Sequence, residues 1–123
     1  MNLLITGCCG HIGSYLVDNI HKIKKIKKCF IVDNFNSTQI NSLFNSKKIN
    51  NLKFYNLDLT KKSSLSKFNK IDYVVHLASM TNAAGSFNKK NEMYKNNIEC
   101  MKNIINFCKV KKSKLIHISS TSV

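Results

Sequence analysis

Short apolar runs recur along the chain, and longer polar or amphipathic segments separate them. Runs of this length, bounded by polar residues, predict strands that are buried in a sheet. The five predicted strands cover residues 2–6, 29–32, 52–55, 72–77 and 114–118. Strands that alternate with helices favour a parallel sheet, because each helix carries the chain back to the end of the sheet at which the previous strand began. The predicted fold class is therefore α/β, a doubly wound parallel sheet with helices on both faces.

The segments between the predicted strands carry helix signals of different strength. Apolar residues recur at a helical period in residues 11–25, and the lysines that end this segment suit the negative end of a helix. A long helix is predicted between the last two strands, and one of its faces comprises Met93, Asn97, Met101, Ile104, Ile105 and Cys108. Weaker signals predict a helix near residues 38–44 and a short helix, capped by Thr60, that ends at Phe68.

Three glycines follow the first predicted strand in the pattern T-G-x-x-G-x-x-G, at Gly7, Gly10 and Gly13. In a dinucleotide-binding loop the first glycine permits the turn, the second lets the phosphates approach the backbone, and the third lets the helix pack closely. The amides of the following helical turn, at His11 and Ile12, would then face the pyrophosphate. An apolar strand before the loop and an amphipathic helix after it favour this interpretation over a plain turn. The sequence predicts a Rossmann-like dinucleotide site here.

Asp33 ends the second predicted strand and lies 20 residues after Gly13. A carboxylate at this place can accept hydrogen bonds from both ribose hydroxyls of adenosine, and it would repel a 2′-phosphate. The next residue is Asn34, not an arginine that could hold such a phosphate. The predicted cofactor is therefore NAD, and the alternative is an aspartate that serves only a turn or a helix cap.

The net charge of +14 comes from 20 lysines, since the chain contains no arginine. Nucleic-acid binders use arginine for bidentate contacts with bases and phosphates, so we interpret the charge as a solvated basic face. No apolar run approaches the length of a membrane span, and the N-terminus lacks a signal-peptide pattern. We expect a soluble cytoplasmic protein that has neither nucleic acid nor a membrane as its partner.

The five cysteines do not show the spacing of a metal site. Cys8 and Cys9 are adjacent, whereas Cys29, Cys100 and Cys108 are far apart, and no C-x-x-C pair occurs. Cys100 and Cys108 fit the predicted long helix as core residues. The sequence therefore predicts neither a metal site nor a disulfide.

Taken together, these motifs resemble the extended branch of the short-chain dehydrogenase/reductase family, which includes the NAD-dependent nucleotide-sugar epimerases and dehydratases. Beyond the glycine loop, the matches are Asp33-Asn34, Asp58-Leu59, Val75-His76-Leu77-Ala78, Asn96-Asn97 and Ile118-Ser-Ser-Thr-Ser-Val123. By resemblance, the second match corresponds to the pair that holds adenine, and the third to the strand beside the phosphates and the nicotinamide ribose. The predicted cofactor-binding residues are Gly7, Gly10, His11, Ile12, Gly13, Asp33, Asn34, Asp58, Leu59, Leu77, Ala78, Ser79 and Asn96.

Two residues within these matches carry separate predictions. His76 lies on a predicted buried strand, where a hydrogen-bonded core histidine is more common than a catalyst, so we assign it no chemistry. Asn97 is open between two roles, a bond to the backbone of the fourth strand and a contact with the cofactor. Residues 79–87 also depart from the alanine-rich loop of the family, which leaves the substrate subclass open.

The resemblance implies that a sugar hydroxyl is oxidised by hydride transfer to NAD. The family uses a Tyr-x-x-x-Lys pair together with a hydroxyl at the end of strand five. This chain has the hydroxyl, at Ser120, but contains no Tyr-x-x-x-Lys. Residues 1–123 are therefore predicted to be an incomplete NAD-binding domain, inactive alone, of an enzyme that is a homodimer when full length and binds a nucleotide sugar. The alternative is a non-catalytic dinucleotide sensor or scaffold.

Overall fold

The computed structural model describes residues 1–35, 51–80 and 90–118, in which five parallel strands form one sheet. The strands are β1 (Asn2–Thr6), β2 (Lys28–Asp33), β3 (Leu52–Asn56), β4 (Tyr73–His76) and β5 (Lys114–His117). Their order in the sheet is β3-β2-β1-β4-β5, so β1 pairs with β2 on one side and with β4 on the other. This order confirms the doubly wound, Rossmann-like fold. Ligands of such sheets bind beyond the carboxyl ends of the strands, where the order reverses, and here that point is the end of β1.

The two α-helices in the described ranges are α1 (His11–Asn19) and α2 (Lys90–Lys111). The predicted extension of the first helix to residue 25 is wrong, because α1 passes into a single 3-10 turn at Ile20–Lys22. The predicted short helix before β4 is only a 3-10 turn, at Lys62–Leu65, and Thr60 does not cap it. The helix predicted near residues 38–44 lies outside the described residues. None of the helices that the structure describes is long and apolar enough to cross a membrane.

The alternation of side chains along β1 divides the core into two layers. Leu4 points to the layer under α2, where it joins Val32 and Val74 in one buried cluster. Leu3 and Ile5 point to the opposite layer, which α1 covers. Because successive residues of a strand face opposite sides, a central strand buried on both sides has apolar residues at successive positions, here Leu3, Leu4 and Ile5. The first predicted strand is continuous for this reason.

The buried face of α2 differs from the predicted one. The helix buries a stripe at helical spacing: Cys100, Asn103, Ile104, Phe107 and Cys108. Ile105 was predicted to belong to this face, but its side chain is 38% exposed. The prediction of Cys100 and Cys108 as core residues is confirmed. The polar Asn103 within the stripe hid the true face, because it interrupts the apolar pattern.

Candidate functional site

The glycine loop leaves β1 in a conformation that requires its first glycine. Gly7 has a φ of +73°, and a Cβ added to it would lie 2.5 Å from the backbone nitrogen of Ala78. Its N–H donates to the carbonyl of Val32, at 2.8 Å, so the turn is tied to β2 as well. A positive φ and this close approach both exclude a side chain. The predicted role of Gly7 in the turn is thus consistent with the geometry.

The other two glycines of the loop differ sharply in the space around them. A Cβ on Gly13 would lie 2.1 Å from the carbonyl oxygen of Gly7 and 2.8 Å from the Cα of Cys8. A Cβ on Gly10 would meet only the Gly7 oxygen, at 3.5 Å, which is ordinary van der Waals contact. Packing within the described chain therefore requires a glycine at position 13 but not at position 10. Among the described residues, none fills the space beside Gly10 that a molecule outside the chain would occupy.

The N-terminus of α1 adjoins this space. Gly10 is the N-cap residue, so no side chain caps the helix at that position, and the first turn contains no acidic residue. The first-turn amides of a helix have no partners within the helix, and the helix dipole adds partial positive charge there. The side chains of His11 and Ile12 are exposed at this end of α1. Such an end suits a phosphate group.

Asp33 lies beside the same loop, at the carboxyl end of β2. Its Oδ2 accepts a hydrogen bond from the N–H of Cys9, at 2.9 Å. Its Oδ1 accepts from the N–H groups of Asn34 and Phe35, at 2.9 and 3.1 Å. Three backbone donors fix the carboxylate, and the thiol of Cys9 also bonds it. The structure thus brings Asp33 to the glycine loop, and the contacts of Asp33 and Asn34 with ribose stay predictions.

The segment after β3 holds the predicted adenine pair. The Oδ1 of Asp58 accepts from the hydroxyl of Thr60, at 2.6 Å, and from its N–H, at 3.0 Å. These bonds, the hydroxyl bond first, lower the pKa of Asp58, so its carboxylate is charged at neutral pH. The side chain of Leu59 is only 4% exposed and belongs to the core under α2. A ligand would therefore contact Leu59 through its backbone.

Asn103 positions this segment and was missed by the sequence analysis. Its buried side chain donates through Nδ2 to the carbonyls of Leu59 and Thr60, at 2.9 Å each. A buried amide that bonds two successive carbonyls fixes the path of the backbone between them. The one available signal was the helical spacing that places Asn103 between Cys100 and Phe107.

The chain after β4 passes directly against Gly7. Leu77 and Ala78 are half-buried, and Ser79 is exposed. Asn97 on α2 holds the next residue, Met80: its Oδ1 accepts from the Met80 N–H, at 2.7 Å, and its Nδ2 donates to the Met80 carbonyl, at 3.0 Å. Of the two roles left open for Asn97, the geometry supports a backbone bond, but to Met80 after β4 rather than to the strand itself. The cofactor contacts of Leu77, Ala78, Ser79 and the neighbouring Asn96 stay predictions.

The sequence model of the NAD-dependent epimerase/dehydratase family matches residues 3–123. The chain belongs to this family. It is 34% identical to a dTDP-D-glucose 4,6-dehydratase of Dictyostelium discoideum over 98% of its own length and 29% of that protein. It is also 32% identical to a UDP-glucose 4-epimerase of Yersinia enterocolitica over 100% of its own length and 38% of that protein. The chain thus spans less than half the length of these relatives.

Solved structures of epimerases and dehydratases have the same fold. A UDP-glucose 4-epimerase of Stenotrophomonas maltophila, solved with bound NAD, matches with a TM-score of 0.84 and 21% identity, over 100% of this chain and 38% of that one. A dTDP-glucose 4,6-dehydratase of Streptomyces venezuelae, also with NAD bound, matches with a TM-score of 0.82 and 18% identity, over 100% of this chain and 43% of that one. At these identities the likeness concerns the fold of this family member.

The histidine of the family's fourth-strand motif is buried at the end of β4. The Nδ1 of His76 lies 2.7 Å from the hydroxyl oxygen of Thr6, and its ring stacks on that of His117 with centroids 5.7 Å apart. Burial, and secondarily the charge of His117, lowers the pKa of His76 to about 4. The side chain is therefore neutral and hydrogen-bonded at neutral pH, as expected of a core histidine.

The lowered pKa of His76 predicts that the chain loses stability in mild acid. The unfolded chain binds this proton at about pH 6.5 and the folded chain at about pH 4, so protonation favours unfolding. Stability is fully present above pH 6.5, falls as the pH decreases toward 4, and the loss amounts to about 3 kcal/mol. Urea unfolding of wild type and His76→Gln across this range measures it. Equal pH dependence of the two proteins would contradict the prediction; the lowered pKa of Asp58 keeps its titration below this window.

The predicted catalytic hydroxyl has no described geometry. Ser120 lies outside the described residues, which end at Ile118, just after β5. Its predicted role in hydrogen bonding a sugar hydroxyl therefore stays a prediction. The described part of this family member contains the loop, the helix end and the carboxylate that a dinucleotide would contact.

Proposed function

We propose that the chain is the NAD-binding portion of a nucleotide-sugar epimerase or dehydratase. The observation that carries the proposal is the space that the described residues leave beside Gly10, the glycine of the loop that their packing does not require. The pyrophosphate of NAD would lie there, against the first-turn amides of α1. The Asp33 carboxylate, already held beside the loop by backbone donors, would accept the ribose hydroxyls of adenosine.

The proposed reaction belongs to the longer enzyme of which this chain would be a part. When bound, NAD would accept a hydride from a hydroxyl-bearing carbon of the sugar. The residues of this chain would bind and orient the cofactor, and Ser120 would hydrogen-bond the reacting hydroxyl. The Tyr-x-x-x-Lys pair of the family does not occur in residues 1–123, so we expect this chain alone to have no activity. A nucleotide-sugar substrate, a homodimer and a cytoplasmic location are proposed on the same basis.

Titration with NAD in a calorimeter tests the proposal. Wild type is expected to bind NAD, and Gly10→Ala to bind it about tenfold more weakly or worse, since a methyl group forced into a close contact costs about 1–3 kcal/mol. The same substitution should change the free energy of unfolding by about 1 kcal/mol or less, because it affects only the helix cap. Gly10→Ser is the matched control: it restores a capping side chain but still fills the space. Failure of wild type to bind, or wild-type affinity in both variants, would overturn the proposal.

A further inference from the structure

Two adjacent cysteines of the glycine loop lie close to a carboxylate at the end of β2. The sulfurs of Cys8 and Cys9 are 4.0 Å apart. One ligand atom from each of Cys8, Cys9 and Asp33 lies within 4.8 Å of the other two. Both cysteines are completely buried, whereas Asp33 is half-buried and forms the accessible side of the group. The sequence spacing predicts no metal site here, because Asp33 follows Cys9 by 24 residues and reaches it only through the pairing of β2 with β1.

The separation of the sulfurs suits tetrahedral coordination. With zinc–sulfur bonds of about 2.3 Å, two thiolate ligands of one zinc ion are about 3.8 Å apart. The observed 4.0 Å between the sulfurs of Cys8 and Cys9 is close to that value. A sulfur and a carboxylate oxygen on the same ion would be about 3.6 Å apart. Since the atoms of the group already lie within 4.8 Å of one another, movements of about 1 Å in the cysteine side chains would complete the triangle.

The surroundings of the group orient the carboxylate, whereas burial and the charge of Asp33 raise the pKa of both thiols. The backbone N–H groups that bond Asp33 restrict its rotation, as outer-shell partners of metal ligands commonly do. Two thiolates, a carboxylate and a divalent cation together carry one negative charge. That charge would lie next to Gly10, at the positive end of the α1 dipole.

We propose that Cys8, Cys9 and Asp33 form a binding site for a thiophilic divalent cation such as Zn²⁺, and that the cation and NAD exclude each other. Each thiol would release its proton to solvent as its sulfur–metal bond forms. Three protein ligands would leave a fourth position for water. The exclusion rests on the proposed function: Asp33 cannot hold the ribose while it ligates the metal, and the negative centre would repel the pyrophosphate.

Titration of the full chain with Co²⁺, a spectroscopic probe for tetrahedral zinc sites, tests the metal site. Wild type should bind one equivalent with sulfur-to-cobalt charge-transfer absorption, and one equivalent of Zn²⁺ should abolish the signal. Cys8→Ala and Cys9→Ala should lose this absorption. Cys29→Ala, which changes a buried cysteine on β2 outside the group, should keep it. Absence of the absorption in wild type, or its persistence in both loop variants, would overturn the site.

A second variant covers the case in which the buried cysteine variants do not fold. Asp33→Asn changes a half-buried side chain and keeps one oxygen acceptor for the backbone donors. It should weaken Co²⁺ binding by about tenfold or more, as loss of a ligand charge or of its orientation does at other metal sites. Wild-type cobalt affinity in this variant would overturn the three-ligand assignment.

Competition with NAD separates the two parts of the proposal. Once the NAD concentration exceeds the dissociation constant of NAD, the apparent dissociation constant of Zn²⁺ should rise in proportion to the NAD concentration. If NAD binds without changing the zinc affinity, the exclusion is wrong. If NAD does not bind at all, the proposed function and the exclusion both fail, while the cobalt spectra still decide the metal site.

Discussion

Replacement of Gly13 by alanine is expected to lower the free energy of unfolding by about 3 kcal/mol or more, or to prevent folding, because overpacking costs about 1–3 kcal/mol even where neighbours can shift. Here the added Cβ would lie 2.1 Å from the Gly7 oxygen and 2.8 Å from the Cα of Cys8. Both are backbone atoms of a loop whose amides bond the carbonyl of Val32, so the loop cannot yield without breaking those bonds. Alanine favours a helix over glycine by about 1 kcal/mol, which is too little to offset the overlap.

Urea unfolding followed by circular dichroism measures this loss, and Gly10→Ala is the matched control. Both variants add one methyl group to the same loop, yet the Cβ at position 10 has only an ordinary contact at 3.5 Å. The midpoint for Gly13→Ala should therefore lie well below that for Gly10→Ala. Equal midpoints would mean that α1 does not pack on the loop as closely as the structure indicates.

The strands could be predicted from the sequence because of where they lie in the sheet. β1 has neighbours on both sides and a covered layer on both faces, so its middle residues, Leu3 to Ile5, are apolar, and its one buried polar side chain, Thr6, is hydrogen-bonded to His76. The observed strand bounds differ from the predicted ones by one residue at most; β4, for example, ends at His76 rather than at residue 77. The glycine loop could be predicted for a similar reason, since its motif is contiguous and its strand and helix adjoin it.

The features that the sequence analysis missed depend on contacts between distant parts of the chain. Asn103 bonds a carbonyl 44 residues away, at Leu59, and its own position on a helix gives no indication of that partner. The grouping of Cys8 and Cys9 with Asp33 likewise requires the register between β1 and β2. Thr60 was predicted to cap a helix because its residue type suits one, but its hydroxyl bonds Asp58 instead. In the first two of these cases, the observed contacts depend on residues distant in sequence, which the local preferences of the residue types do not predict.

Replacement of Asp33 by asparagine is expected to weaken NAD binding by about 10- to 100-fold, since hydrogen bonds to a charged group contribute about 1.5–3 kcal/mol. The change keeps one oxygen acceptor but removes the charge and one of the two acceptors for the ribose hydroxyls. It also removes the charge that would repel a 2′-phosphate, so NADP binding should change much less than NAD binding. The ratio of the two affinities is therefore expected to move toward unity.

Calorimetric titration of each protein with NAD and with NADP measures that ratio, and Asp72→Asn controls for the change in net charge. Asp72 also accepts a backbone hydrogen bond, from Asn2 at 2.6 Å. However, it lies just before β4 and beside the first residue of β1, at the amino ends of the strands and away from the glycine loop. The two variants thus make the same chemical change near opposite ends of β1, where Asp33 bonds Cys9 and Asp72 bonds Asn2. If both lose NAD affinity equally, the charge acts only at long range and Asp33 does not contact the ribose. If only Asp33→Asn loses it, and the preference for NAD falls with it, the carboxylate beside the glycine loop selects the cofactor by direct contact.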